Sequence, residues 1–559
     1  MAKKLVNLTA TRRSLWALLQ PESGFLWVIV VYGLGISLLT LAVPIAVQTL
    51  INTIANIGSL RAVYVLAVTL FIILLASGVL SALSMWVVEL YERKVYARLT
   101  AEMSYRVIRA PHQFFEGRSN AGITDRYFDI MILQKNVPRL LVDGFALVLQ
   151  MLVGFTLVSF YHPWLFIFNS LTIATIYMIW TLWSRGAKRT AIELSQEKYA
   201  TAKWLNDLEF AHEFFKSTSH VELAGRTTEQ RTHHFIRSQA KHFRYTFLQS
   251  IMFLLVYALG SATLLGLGGW LVSNGQLSIG QLVAAELIMA SVFLGLSRFA
   301  SYLKSYYELY GAADKITELL SIPQEAEIAK DRKAPQSGAI NFNEIVLKRD
   351  DRACAVNAQI ANGSKVYVQA NEAWVQRKVL NVLRFNDEPD SGWISLDGRS
   401  LADLDPFVLR QIIYSVDRSL IVECTIRDFL QLSAPNVGID HMIRILTDVG
   451  LWQVISALPE KLDTGLSALG APLHSVEVLL LKLAAAILSQ PKVLVLNQRF
   501  DNVVGASRDA IMKVLEAQPF TILYFTSHPD GRFFDQSIQL TATDAEQLSK
   551  KTVEAAAND

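Results

Sequence analysis

The chain has 559 residues, of which 52% are hydrophobic and only 18% are charged. Soluble domains contain about a quarter charged residues, so the composition excludes an ordinary soluble protein and favours a membrane protein. The net charge of +3 is too small to indicate nucleic-acid binding. The two cysteines, Cys354 and Cys424, exclude a disulfide-rich secreted framework.

The N-terminal half carries six apolar segments, each long enough for a membrane-spanning helix of ~20 residues. They cover residues 25–51, 63–91, 139–160, 163–183, 247–273 and 279–300. Basic residues precede the first segment and are frequent in the two long loops, 92–138 and 184–246. By the positive-inside rule we expect both termini and both long loops in the cytoplasm.

The chain divides into five parts by composition. We expect a cytosolic N-terminus (1–23), a transmembrane domain (24–320), a linker (321–338), a soluble domain (339–545) and a polar tail (546–559). Residues 12–21 fit either an interfacial elbow helix or an extension of the first membrane helix. In the soluble part, the runs AINFNEIVL, KVYVQ, WISLDG, KVLVLN and FTILYFTS alternate with helical patterns. This alternation predicts an α/β domain with a mixed or parallel sheet.

Four longer segments carry a family resemblance. They are RAPHQFFEGRSNAGITDRYFDI, GQLSIGQLVAAELIMA, SGWISLDGRSLADLDPFVLRQIIYSV and LPEKLDTGLSALGAPL. They resemble, in turn, the first coupling loop, the turn into the sixth helix, the segment after the phosphate loop and the approach to the signature helix of ABC exporter half-transporters. The resemblance covers nearly the whole chain. It implies a polytopic six-helix membrane domain of the ABC exporter type, followed by a cytosolic α/β domain like the ABC nucleotide-binding domain.

The phosphate loop of that family would fall in VYVQANEAWVQRKVL, which contains no glycine. The family's glycine positions read Ala370, Ala373 and Val375, its lysine reads Gln376, and its hydroxyl residue reads Arg377. A phosphate loop needs glycines so that backbone N–H groups can close around the phosphate, and a lysine to neutralise it. Lys378 lies two positions beyond Gln376 but has no glycine beside it, and Arg349 stands where an aromatic residue would stack on adenine.

The remaining chemical positions depart as well. The resemblance aligns the signature sequence with Leu473, His474, Ser475, Val476 and Glu477, and the metal-sensing glutamine with Asp417. Asn497 and Gln498 stand where the family has the metal-holding aspartate and the catalytic glutamate. Only the switch histidine persists, as His528. We therefore expect no metal site and no firmly bound cofactor, with ATP and Mg²⁺ held weakly at most.

Two carboxylates, Asp143 and Glu286, fall within or next to apolar spans, where a charge is costly and usually faces a cavity or a partner. Both are candidates for a substrate path. The alternative for Asp143 is that its helix extends beyond the bilayer and leaves the side chain in water.

Taken together, the resemblance implies a dimeric ABC exporter subunit of the bacterial inner membrane, surrounded by membrane lipid, and the altered positions predict a pseudo-subunit that does not hydrolyse ATP. Its partner would be a second copy or another half-transporter, with a periplasmic adaptor beside them, in export of a peptide, protein or lipid. Two alternatives stay open. One is an active ATP-driven exporter with an unusual nucleotide site, favoured by His528. The other is a passive channel or scramblase, favoured by Asp143 and Glu286.

Overall fold

The computed structural model describes residues 8–40, 42–43, 45–47, 49–50, 60–116, 123–325, 334–417, 421–504, 506–528 and 533–545. The chain divides into two compact units, Met1–Glu325 and Ala326–Asp559.

The first unit is helical throughout its described residues. Its α-helices are α1 (Leu8–Leu19), α2 (Ser23–Thr40), α3 (Leu60–Ile108), α4 (His112–Glu116), α5 (Phe128–Arg139), α6 (Phe145–Ser159), α7 (Pro163–Phe210), α8 (Thr218–Ser273) and α9 (Ile279–Leu320). Six stretches are long and apolar enough to cross a membrane: Thr11–Leu39, Val63–Ile108, Ile123–Ser159, Pro163–Phe210, Thr218–Ser273 and Ile279–Leu320. The prediction of six membrane helices is therefore confirmed. The helix ends agree with local chemistry, since Ser278 and Gln281 form a capping box at the start of α9.

Helices α1 and α2 are joined by a 3₁₀ turn, Gln20–Glu22. Glu22 is buried there and accepts hydrogen bonds of 2.7 and 2.8 Å from the guanidinium of Arg98 on α3. The pair compensates a carboxylate that would otherwise be buried without a partner. This ion pair connects the start of α2, in the first membrane span, to α3, in the second span.

Helices α5 and α6 are connected by one turn of π-helix, Leu140–Gly144. Pro138 lies just before it, inside α5, and cannot donate a backbone hydrogen bond. Such π turns occur mostly as local insertions in α-helices, frequently at functional sites. The turn contains Asp143.

The second unit is built on two five-stranded sheets and a two-stranded one. Its strands are β1 (Ile340–Arg349), β2 (Arg352–Ile360), β3 (Lys365–Ala370), β4 (Ser391–Leu396), β5 (Arg399–Ser400), β6 (Ile413–Val416), β7 (Cys424–Thr425), β8 (Gly465–Leu466), β9 (Val493–Leu496), β10 (Thr521–Phe525), β11 (Gln536–Leu540) and β12 (Ala542–Asp544). One sheet has the order β12-β2-β1-β4-β5 and antiparallel pairing. The other has the order β11-β3-β10-β9-β6 and parallel pairing.

The helices of this unit are α10 (Ala373–Leu383), α11 (Pro406–Ile412), α12 (Ile426–Ser433), α13 (Ile439–Asp448), α14 (Trp452–Ala457), α15 (Ser475–Ser489) and α16 (Ala506–Glu516). The central parallel strands β9 and β10 are buried on both faces and have no exposed residue, whereas the edge strand β11 is partly exposed. Continuous apolar strands are typical of parallel sheets covered by helices. All five strand segments predicted from the sequence form strands, and the predicted α/β class is confirmed.

Candidate functional site

Four parallel strands of the second unit end along one edge of their sheet. Strands β3, β6, β9 and β10 are paired in parallel, so their carboxyl ends lie side by side. Ligands of open α/β sheets bind outside this kind of edge. The residues that follow the strands are Asn371 and Glu372 after β3, Asp417 after β6, Asn497 and Gln498 after β9, and Ser527 and His528 after β10.

The connection from β3 to α10 consists of only two residues, Asn371 and Glu372. The backbone N–H of Asn371 donates to the Leu540 carbonyl (3.2 Å), and its side-chain Oδ1 accepts from the Ala542 N–H (2.9 Å). The N–H of Val375 donates to the Glu372 carbonyl at 3.1 Å. A connection so short and so firmly bonded leaves no loop of backbone N–H groups to wrap around a phosphate.

Glu372 places a carboxylate at the N-terminus of α10. The carboxylate accepts a hydrogen bond from Trp374 Nε1 (2.7 Å) and two from the Arg352 guanidinium, the one from Nε at 3.2 Å. Arg352 pairs with Asp544 as well, at 3.1 Å. The hydrogen bonds from Arg352, and then from Trp374, hold the pKa of Glu372 below its usual range. The chain itself thus supplies the negative charge that a helix N-terminus favours.

The other phosphate-loop positions are buried, exposed to solvent or paired with carboxylates. Val375 is fully buried and Gln376 nearly so, whereas Ala373 and Arg377 are exposed. The Lys378 ammonium lies 3.5 and 3.3 Å from the carboxylates of Asp387 and Asp390. Lys378 is therefore already neutralised by two carboxylates. Arg349 ends β1 with a largely exposed side chain, 4.0 Å from Asp350.

Asn497 and Gln498 use their side chains to stabilise the turn after β9. The Asn497 Oδ1 accepts from the Arg499 N–H at 2.9 Å and caps the short 3₁₀ helix there. The Gln498 Nε2 donates to Ser527 Oγ at 2.5 Å and joins the turns after β9 and β10. His528 follows Ser527 and is exposed. The structure thus brings Gln498 and His528, both predicted as site residues, to neighbouring turns of one edge.

The signature positions lie at the start of another helix, α15. Glu477 reaches back from its first turn, and its Oε2 accepts from the His474 N–H at 2.7 Å. Leu473 is buried, and Val476 packs against the core that α15 helps to form. A second helix N-terminus is therefore occupied by a carboxylate of the chain. Ser475 is the first residue of the helix.

These side chains do not fit a magnesium nucleotide. The edge offers neutral amides at Asn497 and Gln498, and a carboxylate at Glu372 where a phosphate would need positive charge. Asp417 is near the guanidinium of Arg384, whose pKa is lowered by burial and partly restored by that aspartate. Among the described residues, no group of three or more His, Cys, Asp or Glu side chains is placed to hold a metal ion.

The two membrane carboxylates differ in their surroundings. Asp143 is exposed on the π turn and lines a cavity of about 450 Å³. Glu286, on α9, is half-buried, and its Oε2 is buried with no hydrogen-bond partner among the described residues. Both side chains are thus available for polar contacts with a ligand or another chain.

The sequence patterns missed three residues that form the hydrogen bonds and the ion pair at the sheet edge: Arg352, Asn371 and Glu372. Asn371 and Glu372 lie within the segment whose missing glycines were recognised. A glutamate directly before an amphipathic helical run is typical of a helix start, and this pattern could have identified Glu372. Arg352 comes from the neighbouring sheet, so only the folded structure reveals it.

The comparisons with known proteins agree with this architecture. Residues 26–207 match the family model of the ABC transporter transmembrane region. The leukotoxin translocation ATP-binding protein LktB of Mannheimia haemolytica is 22% identical over 499 residues, 87% of this chain and 69% of that protein. The toxin RTX-III translocation ATP-binding protein of Actinobacillus pleuropneumoniae is 21% identical, with the same coverage.

A solved structure matches over nearly the full length. The structure of a bacterial Atm1-family ABC exporter with ATP bound covers 96% of this chain and 97% of that chain, with a TM-score of 0.78 and 15% identity. The architecture is therefore that of an ABC exporter, a membrane domain followed by an α/β domain. This chain contains the ABC transporter transmembrane region and is homologous to ABC half-transporter exporters.

Proposed function

We propose that this chain is a pseudo-ABC exporter subunit, which assembles as half of a transporter without hydrolysing ATP itself. The observation that carries the proposal is Glu372. Its carboxylate lies at the N-terminus of α10, after a two-residue connection that has no glycine. A nucleotide phosphate there would meet like charge where it needs N–H donors and a lysine.

Two further features support this function. The amides of Asn497 and Gln498 cannot hold a metal ion through negative oxygens or act as a general base. The Glu477 carboxylate sits at the N-terminus of α15, at the positions aligned with the signature. A partner's intact phosphate loop would face this carboxylate. The loss is therefore distributed over the phosphate loop, the signature and both carboxylate positions, with His528 as the retained residue.

The biological role follows from the relatives. Their names describe translocation of leukotoxin and of the RTX-III toxin. We infer that this chain takes part in export of a peptide, protein or lipid across a bacterial inner membrane. It would do so as a homodimer or beside another half-transporter, with both termini cytoplasmic and a periplasmic adaptor as a further partner.

The test is nucleotide binding and Mg²⁺-dependent hydrolysis by the purified full chain in lipid nanodiscs. The Asn497→Asp, Gln498→Glu double variant is measured in parallel. We expect neither binding nor turnover from either protein, because restored carboxylates do not remove Glu372 or rebuild the loop. Turnover by the wild-type chain that is abolished by His528→Ala would instead establish the active exporter with an unusual site.

A second assay distinguishes a passive channel from a pseudo-subunit. Lipid or ion flux is measured in liposomes without nucleotide, with wild type and with a Glu286→Gln variant. A pseudo-subunit alone gives no flux in either case. Flux that Glu286→Gln changes would favour the channel, because Glu286 has a buried oxygen without a partner in the described residues.

A further inference from the structure

A cavity of about 450 Å³ lies among α2, α3 and the α5–α6 segment of the first unit. Its volume falls within the ~300–1,000 Å³ of pockets that bind small ligands. One part of its lining is apolar and includes Ile36, Met85 and Val88. The other part carries charged and hydroxyl groups. The cavity is therefore amphipathic.

Four charged side chains line the polar part, two of each sign. They are Glu92 and Asp143, which are acidic, and Lys135 and Arg139, which are basic. None of the four makes a direct ion pair with another side chain in the described part of the chain. Arg139 instead lies over the ring of Tyr302, with 5.7 Å between guanidinium carbon and ring centre. Glu92 interacts electrostatically with Lys135, and Asp143 with Arg139, without a direct ion pair, so the cavity presents two cations and two carboxylates that are only loosely paired.

Ser84 adds a buried polar group to this lining. Its side chain is 2% exposed, and its Oγ has no hydrogen-bond partner among the described residues. A buried hydroxyl without a partner is unfavourable, so an occupant with a polar atom at this point would stabilise the site. The π turn Leu140–Gly144 places Asp143 in the same lining. Ser84 and the π turn are separate observations that both indicate a ligand.

The position of the cavity along the helices indicates where the ligand comes from. On α3 the apolar run ends at Val88, and Glu89 and Glu92 follow. On the α5–α6 segment, Lys135 and Arg139 precede the apolar run that begins at residue 140. Such a change from charged to apolar side chains marks the depth of the lipid headgroups. Glu92, Lys135 and Arg139 therefore lie at headgroup depth, whereas Ser84 and Asp143 lie about one helical turn deeper, beside the apolar lining at acyl-chain depth.

We propose that this cavity binds the headgroup of a zwitterionic phospholipid. The phosphate lies between Lys135 and Arg139, the ammonium group lies beside Glu92 and Asp143, and Ser84 donates a hydrogen bond to a headgroup oxygen. The first part of an acyl chain follows the apolar lining. This assignment is independent of whether the chain hydrolyses ATP, since none of these residues belongs to the second unit.

The test measures lipid binding to the purified full chain by native mass spectrometry. The probes are phosphatidylethanolamine, phosphatidylglycerol and water-soluble phosphoethanolamine. We expect preferential binding of phosphatidylethanolamine and roughly tenfold or greater weakening in the Lys135→Gln, Arg139→Gln double variant, because each basic residue contributes substantially to phosphate attraction. Ser84→Leu should abolish binding because its larger side chain fills the cavity. Ser84→Ala should weaken it only slightly.

The matched control is the Arg93→Gln, Arg185→Gln double variant. It removes two basic residues that flank apolar spans and do not line the cavity, and it should bind phosphatidylethanolamine like wild type. Equal binding of phosphatidylglycerol would overturn the zwitterionic assignment. Equal binding of phosphoethanolamine would identify a site for a soluble ligand. A disulfide between two copies of a Met85→Cys variant, at an exposed residue of the lining, would show that a second chain covers the cavity, and would overturn the proposal.

Discussion

Glu372 places a carboxylate at the edge of the parallel sheet, at the start of α10. Its carboxylate is bonded by Arg352 and Trp374, and this arrangement depresses its pKa. In the unfolded chain these hydrogen bonds are not held in place, and the pKa of Glu372 returns to its ordinary value near 4.5. The folded state therefore favours the ionised form of this one side chain. Protonation of Glu372 at low pH should remove its contribution to the free energy of unfolding.

The first prediction concerns the pH dependence of Glu372. A depressed pKa stabilises the fold at pH values above the unfolded pKa, and this stabilisation disappears as the pH falls through the folded pKa. Glu372→Gln should therefore lower the unfolding temperature at pH 7, keep this effect down to the unfolded pKa near 4.5, and lose it as the pH falls further through the lower folded pKa. Thermal unfolding of the full chain at several pH values measures this difference.

The control is Glu388→Gln, which changes an exposed glutamate of the same unit. It should leave the unfolding temperature almost unchanged at pH 7. A Glu372→Gln effect that does not shrink at any pH below 4.5 at which the chain stays folded would show that the variant acts through packing and that the charge of Glu372 contributes nothing.

Gly392 occupies a position that no other residue can adopt without strain. Its φ is +78°, and a Cβ atom would lie 2.3 Å from the Glu344 carbonyl oxygen, where the β1–β4 register shifts. Gly398, in the β4–β5 turn, has a similar φ of +74°, but a Cβ atom there would contact nothing within 4 Å. Both glycines have the left-handed backbone conformation, but only Gly392 has a neighbouring atom that a Cβ would clash with. Comparing them therefore distinguishes the cost of the clash from the cost of the conformation.

The second prediction follows from this pair. Gly398→Ala should cost about 1–2 kcal/mol, the penalty of the left-handed conformation alone. Gly392→Ala should cost roughly 3 kcal/mol or more, since a clash with the backbone adds to that penalty. Chemical denaturation of both variants provides the comparison. Equal losses would mean that β1 moves away freely at the bulge.

At the level of elements, the membrane bundle depends on close contacts at small residues. On α8, a Cβ atom at Gly260 would lie 2.4 Å from the ring of Phe293 on α9, which is fully buried. Without a hydrophobic driving force between helices in lipid, such close packing contributes strongly to association. One turn and a half further on, Gly266 would meet nothing within 4 Å.

The third prediction is therefore a contrast along one helix. Gly260→Ala should destabilise the purified membrane protein by about 1–3 kcal/mol through overpacking against Phe293. Gly266→Ala should be neutral or slightly stabilising, because alanine has the higher helix propensity. Thermal inactivation in detergent ranks the two variants. A larger loss at Gly266 would contradict the packing of α8 on α9.

The elements were predictable because their patterns are strong and local. Apolar runs of about 20 residues and alternating strand segments indicate helices and strands directly. The site was predictable only in part. Asn497, Gln498 and His528 follow recognisable strands, whereas the Arg352–Glu372 pair joins strands of different sheets. The cavity near Ser84 was not predictable, because four helices, α2, α3, α5 and α6, contribute to it.

For the whole molecule, the six spans fix a topology that can be tested from outside the cell. The turn between α8 and α9 contains exposed Asn274, and the turn between α7 and α8 contains exposed Ser217. These turns lie at opposite ends of α8, a helix of 56 residues. The positive-inside rule assigns Ser217 to the cytoplasm.

The fourth prediction uses single cysteines in a Cys354→Ala, Cys424→Ser background. A membrane-impermeant maleimide should label Asn274→Cys in intact cells, and Ser217→Cys only after permeabilisation. Labelling of both variants after permeabilisation controls for accessibility. The reverse pattern in intact cells would place both termini outside the cytoplasm.

The carboxylates of Glu372 and Glu477 have a consequence for how the second unit responds to metabolism. These carboxylates are part of the chain, so their effective concentration at the two helix N-termini does not depend on the concentration of any ligand in the cell. For the proposed pseudo-subunit, an added phosphate would contribute little free energy to this unit, so we expect its conformational equilibrium to be independent of the ratio of ATP to ADP. We then expect the same state in a starved cell and in a growing one, with switching driven by the chains assembled around it.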